Sequence, residues 1–198
     1  YVCYYATRHL PGGKYPDQKY KKMPIDDYNE HTVWGLHTLD RDPDRNLLII
    51  AEGAFDALSF EQEGYSVISA ITGHFSREQL PTALSIAKSF KKVFLVFDND
   101  LVTKAGEKFT IKMAKILTEK RIPCIVGQVP PTFKDISEFY QAGRDLSYII
   151  ESATDGIEFL ASKMTDKNDF NTFARKVCRY MSKPDVDMFF KSVGQHTN

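Results

Sequence analysis

Short apolar runs spaced by segments of helical periodicity constrain this chain more than any other feature. Leu47–Ala51 and Val93–Phe97 are apolar throughout, without the alternation expected of a strand that has one wet face. They read as strands buried on both faces, and Ser66–Ile71 and Ile122–Val129 read as two more, the last closed by the turn Pro130-Pro131. Between them lie helical patterns. Phe55–Glu63 carries Phe55, Leu58 and Phe60 and stops at Gly64. Ser76-Arg77-Glu78-Gln79 has the form of a capping box, opening a helix through Leu80, Leu84, Ile86, Ala87 and Phe90. Lys104–Lys120 places Phe109, Met113, Ile116 and Leu117 on one side. Strands alternating with helices require right-handed crossovers, which predicts an α/β fold: a mostly parallel, four-stranded sheet flanked by helices.

The flanks differ from this core. Val2–Thr7 and Thr32–Leu36 read as short strands around a loop rich in Gly, Pro, Lys and Tyr. After Gly156 the pattern becomes helical, over Ile157–Met164, Phe170–Met181 and Val186–Val193, with Ser182-Lys183-Pro184-Asp185 as a cap signature before the last. The expected organisation is a small basic α+β subdomain over residues 1–45, the sheet domain over 46–144 and a helical region over 145–198. Charge follows the same division. The formal net charge is zero, from 26 basic and 26 acidic side chains, which excludes a uniformly basic nucleic-acid coat and an acidic disordered chain. Yet residues 1–25 hold Arg8, Lys14, Lys19, Lys21 and Lys22 against Asp17 alone, a charge of +4, whereas residues 26–155 hold 14 basic and 20 acidic side chains, a charge of −6.

No apolar run approaches the ~20 residues of a membrane helix, so no membrane partner is expected. Cys3, Cys124 and Cys178 are odd in number and far apart, with no C-x-x-C, which argues against a disulfide framework or a zinc site and fits a reducing cytoplasm. The chain begins at Tyr1 without an initiator Met, and is expected to be an excised piece of a longer protein.

Chemistry is concentrated in two acidic clusters just past the carboxyl ends of predicted strands, where parallel sheets place their ligands. Glu52-Gly53-Ala54-Phe55-Asp56 follows the first strand; Gly53 allows a sharp turn, after which Glu52 and Asp56, four apart, can project together. Asp98-Asn99-Asp100 follows the third strand. Carboxylates crowded at one edge repel unless a cation joins them. Oxygen donors without His or Cys suit Mg²⁺ or Mn²⁺, which would orient a phosphate and absorb the charge that develops in phosphoryl transfer. Taken singly, either cluster is a weak signal, more often a helix cap than a metal site.

In order and spacing, Glu52-Gly53-Ala54-Phe55-Asp56-Ala57-Leu58, then Ala70-Ile71-Thr72-Gly73-His74-Phe75, then Leu95-Val96-Phe97-Asp98-Asn99-Asp100 resemble the TOPRIM domain of bacterial-type primases and type IA and II topoisomerases, most nearly the primases. Lys134-Asp135-Ile136-Ser137-Glu138-Phe139-Tyr140 resembles the segment after the last strand of that family, and Tyr4-Tyr5-Ala6-Thr7-Arg8 with Lys19-Tyr20-Lys21 resembles its basic N-terminal subdomain. The resemblance implies a TOPRIM fold and metal-dependent RNA primer synthesis on single-stranded DNA from nucleoside triphosphates. A replicative helicase would be a further partner, and a phage, plasmid or other mobile element the source. It implies Glu52, Asp98 and Asp100 as catalytic residues and Glu52, Asp56, Asp98, Asp100 and Asp135 around Mg²⁺ or Mn²⁺. Whether Glu52 holds metal or moves a proton stays open. Arg8, Lys14, Lys19, Lys21 and Lys22 would meet template or nucleotide phosphates without sequence preference, with Gly73 and His74 close to a phosphate.

The sequence departs from the family where Leu101-Val102-Thr103-Lys104 separate the second acidic cluster from Ala105-Gly106, and where Ser137 replaces a frequent acidic residue, weakening a third metal position. Competing readings are a nuclease-type or non-catalytic TOPRIM module that binds nucleic acid, and a haloacid-dehalogenase-like phosphatase built on Asp98-Asn99-Asp100-Leu101-Val102. The phosphatase motif belongs near the first strand of its fold, and here it follows the third.

Overall fold

The computed structural model describes residues 4–8, 20–24, 33–71, 73–98, 105–164, 166–179 and 186. At its centre is a five-stranded sheet in the order β4-β3-β5-β6-β7, formed by β3 (Leu47–Ala51), β4 (Ser66–Ser69), β5 (Lys92–Phe97), β6 (Cys124–Gln128) and β7 (Thr154–Asp155). A separate antiparallel pair, β1 (Tyr4–Arg8) and β2 (Tyr20–Pro24), precedes it. The first four strands of the main sheet run parallel, and β7 pairs antiparallel with the outer edge of β6.

The period of two within each strand sorts side chains onto two faces. From β3 and β5, Leu48, Ile50, Val93, Leu95 and Phe97 enter one apolar cluster, whereas Ile49, Ala51, Phe94 and Val96 enter the other. The first face is covered by α2 (Gln79–Lys88), α3 (Ala105–Glu119), α6 (Gly156–Ser162) and α7 (Lys167–Cys178), through residues such as Ala87, Leu117, Leu160 and Val177. The second is covered by α1 (Ala54–Gln62), α4 (Ile136–Gln141) and α5 (Ser147–Glu151), through Phe60, Phe139 and Ile149. Uniformly apolar strands and one-sided helices are therefore two readings of one sandwich. Burying an apolar side chain of this size contributes about 1.5–3 kcal/mol before the entropy of ordering is subtracted.

Three elements differ from the sequence expectation. The sheet has five strands rather than four, because the exposed dipeptide Thr154–Asp155 pairs with Val126 and Ile125; two polar residues carry no strand signal. The expected strand at Thr32–Leu36 is a single bridge, Trp34 to Ser69, after which Leu36–Arg41 turns into a 3-10 helix. Gly35 sets that turn at φ +99°, and a Cβ there would lie 2.0 Å from the Val67 carbonyl oxygen. Tyr20–Pro24 forms β2 inside the stretch expected to be loop, drawn into register with β1 so that Lys21 faces Thr7. The predicted capping box is present: the Ser76 N–H donates to Gln79 Oε1 and the Gln79 N–H to Ser76 Oγ, each at 3.1 Å. The last predicted helix and its cap signature lie outside the described residues, apart from Val186.

Strand order fixes where a ligand can sit. From β3 the chain passes through α1 to β4 on one side, then through α2 to β5 on the other. The carboxyl ends of β3 and β5 thus flank the point where winding reverses and the following segments diverge, leaving a crevice.

Candidate functional site

Glu52 and Asp98 are the residues that immediately follow β3 and β5, at this reversal point. Both are half-buried. The Asp98 backbone N–H donates to Glu52 Oε2 at 3.1 Å, so the two acidic clusters, 46 residues apart in sequence, join across the crevice. The end of β4 closes the third side: the Ser69 hydroxyl donates to the Glu52 carbonyl at 3.2 Å and accepts the Ile71 N–H at 2.9 Å. Ile71 is held at φ +67°, an uncommon conformation for a β-branched residue, while 7% exposed. Backbone strain of this kind persists where the surroundings over-determine the chain, and it borders the acidic site.

Two glycines leave room around these carboxylates. A Cβ on Gly106, in the first turn of α3, would lie 2.6 Å from the Asp98 carbonyl oxygen and 3.2 Å from Glu52 Oε2. A Cβ on Gly73 would lie 3.6 Å from Glu52 Oε1. Gly73 thus lies beside the Glu52 carboxylate. His74 is exposed, with its ring tilted against Phe109 at 6.2 Å. Gly106 was not among the candidate residues; its position after Ala105 in the opening turn of α3 was the available signal.

Asp56 takes a different partner set from Glu52. It is 7% exposed; its Oδ2 accepts the Gly53 N–H at 3.2 Å and its Oδ1 the Ser137 N–H at 3.0 Å. The expectation that Glu52 and Asp56 project together from one helix start assumed that both lie on the helix. Helix α1 begins at Ala54, so Glu52 precedes the cap and reaches towards β5, whereas Asp56 turns back beneath it. Burial pushes the Asp56 carboxyl above its ordinary value, the charge of Asp135 adds to this, and the two N–H bonds oppose it. Asp135 caps α4, accepting the Glu138 N–H at 2.8 Å.

Arg8, Lys21 and Lys22 lie in the backbone register of β1 and β2, with Arg8 facing Tyr20 and Lys22 facing Ala6. Lys14, Lys19 and Asp100 lie outside the described residues. Among the described residues no group of three or more His, Cys, Asp or Glu side chains converges as a metal cage, and no helix is long and apolar enough to cross a membrane. Cys124 is buried and its thiol pushed up to about 12 by that burial, which makes it an inert core residue.

Residues 49–140 match the protein-family model described as Toprim-like. A DNA primase of Thermotoga maritima is 36% identical over 94 residues, which is 47% of this chain and 15% of that protein. Among solved structures, the Aquifex aeolicus primase (zinc-binding and RNA polymerase domains) superposes with a TM-score of 0.68 at 20% identity, over 99% of this chain and 48% of that one. A DnaG primase catalytic domain bound to single-stranded DNA superposes with a TM-score of 0.69 at 14% identity, over 98% of this chain and 64% of that one. The chain therefore has the fold of primase catalytic cores while spanning about half of the Aquifex chain and a smaller share of the Thermotoga protein.

Proposed function

We propose that the Toprim-like domain carried over residues 49–140 is the catalytic centre of a DNA primase core, making RNA primers on single-stranded DNA from nucleoside triphosphates with Mg²⁺ or Mn²⁺. The observation that carries this reading is the junction of Glu52 with Asp98 at the winding reversal, bordered by two glycines whose missing side chains keep the space beside the carboxylates open.

That space and its donors fit a hard divalent cation: the side-chain donors are carboxylate oxygens, and a Cβ at Gly106 would crowd a Glu52 carboxylate oxygen and the Asp98 backbone. Glu52 and Asp98, with Asp100 from the same cluster, would hold the ion, and Asp56 and Asp135 remain candidates for a supporting position. When bound, the ion supplies charge neutralisation at a transferring phosphoryl group. The chain's own residues do the rest. The Asp98 N–H fixes one Glu52 oxygen, orienting the carboxylate, and the Asp56 bonds to Gly53 and Ser137 pin the turn from which Glu52 projects. Arg8, Lys14, Lys19, Lys21 and Lys22 provide phosphate affinity for template or nucleotide, with Gly73 and His74 at the acidic end. The tripartite division at residues 45 and 144 is part of the same proposal.

Titration calorimetry with Mn²⁺ on the wild type and on Asp98→Ala/Asp100→Ala tests it. Saturable binding in the wild type that disappears in the double variant is expected; equal binding by both proteins places the metal elsewhere and overturns the assignment.

A further inference from the structure

A cavity of about 600 Å³ opens beside the acidic centre, beyond the ends of β5 and β6, and no role assigned above uses it. Asp98, Thr110, Gln128, Tyr148, Ser152 and Thr154 are among the residues that line it. We propose that it seats the nucleobase and sugar of the nucleoside triphosphate whose phosphates lie at Glu52 and Asp98. This rests on the primase reading and adds a subsite to it.

Size, charge, the strand edge and one aromatic ring support the assignment. The volume lies in the range of small-ligand pockets, roughly 300–1,000 Å³. No Lys or Arg is among its described lining residues, so the cavity offers no cationic side chain to a polyanion, whereas a neutral heterocycle requires none. Glu107 is engaged by Lys163 at the rim. Part of the lining is a sheet edge: β7 ends after pairing with Ile125 and Val126, and past Val126 the outer side of β6 has no described strand beside it. Strand backbone continuing through Gly127 and Gln128 offers the alternating donors and acceptors that the edge of a planar base requires. Tyr148, 62% exposed on the single-turn α5, is among the lining residues, and stacking of a base on an aromatic ring tolerates any base.

Tyr148→Ala and Ser152→Trp both alter exposed lining positions, the first removing the ring and the second filling the opening. Affinities for ATP, for inorganic tripolyphosphate and for single-stranded DNA are measured with Mg²⁺ present, on the full chain, with circular dichroism to show that each variant is folded. The expected result is about tenfold weaker ATP binding in each variant, the scale of one lost stacking contact, with tripolyphosphate and DNA affinities unchanged. Unchanged ATP affinity in both variants overturns the subsite and leaves the primase reading standing. Equal loss of ATP and tripolyphosphate also overturns it, since the cavity would then serve phosphate. Wild-type protein that binds neither compound overturns the subsite and the primase reading together, whereas binding without primer synthesis separates the two.

Discussion

Glu52 and Asp56 leave one turn after β3, but Glu52 stays half-buried at the crevice and reaches the backbone of Asp98, whereas Asp56 is 7% exposed beneath it and accepts N–H bonds from Gly53 and Ser137. A carboxylate at an open strand end stands where a ligand can reach it. A carboxylate in the second layer spends both oxygens on backbone donors that burial would otherwise strand. Identical chemistry thus acquires different duties from a displacement of four residues, and each duty predicts its own pattern of damage.

Glu52→Gln tests the member at the crevice and carries the largest expected effect. The amide keeps the shape and one oxygen for the Asp98 N–H but removes the charge. Primer synthesis should fall by at least about 10²-fold, the scale of losing one charge aimed at a reacting centre. Thermal stability and single-stranded DNA binding should remain near wild type. Loss of binding or folding along with activity would place Glu52 in the structural class with Asp56 and erase the contrast.

Gly106→Ala disturbs the crevice from its other wall. The new Cβ must clear the Asp98 carbonyl, 2.6 Å away, and Glu52 Oε2, 3.2 Å away, so the start of α3 or the end of β5 shifts. Overpacking of this kind costs about 1–3 kcal/mol, and displacement of catalytic groups by about 1 Å lowers rates up to 10²-fold. Primer synthesis together with a denaturation curve reads both; wild-type values in both would show that the glycine cradle is not needed.

Asp56→Ala inverts the Glu52 pattern. Two backbone N–H groups lose their acceptor at a buried site, which costs about 1–3 kcal/mol per stranded group; with partial relief from the removed buried charge, a loss near 2 kcal/mol is expected in urea denaturation. Mn²⁺ stoichiometry is the discriminating readout: retention assigns Asp56 to positioning, and loss of one equivalent assigns it to a supporting metal position.

Much of this was legible in the sequence because apolar periodicity reports burial directly. Leu47–Ala51 was bounded correctly and Val93–Phe97 to within one residue, since a strand buried on both faces is apolar throughout and polar residues mark its ends. The pairing of Glu52 with Asp98 followed from strand-end logic, but the reach of Asp56 to Ser137, 81 residues away, did not. Local spacing placed Asp56 beside Glu52, and only the packing of α4 against α1 revealed the backbone donor that claims it. Gly106 escaped for the same reason: a glycine in a helix reads as a weakness until the carbonyl that abuts it is known. Strand β7 had no signal because two exposed polar residues become a strand only through the partner edge of β6.

The smallest effect is a pH dependence that separates the two carboxylates without disrupting either. Burial raises the folded-state value of Asp56 above the ordinary 3.8, so the folded protein holds this proton more tightly than the unfolded chain. The resulting stability is fully present below the unfolded value and is lost as pH rises through the higher folded one. Asn at this position cannot titrate. The stability of wild type relative to Asp56→Asn should therefore be greatest near the acid end and decline as pH rises from about 3.8, then level off once Asp56 is ionised in both states. Urea denaturation of both proteins across that range gives the difference directly and cancels the titration of groups common to both. A difference that instead grows with pH would mean that the two N–H bonds outweigh burial, lowering the Asp56 value and making its charge, like that of Glu52, an asset to the folded state.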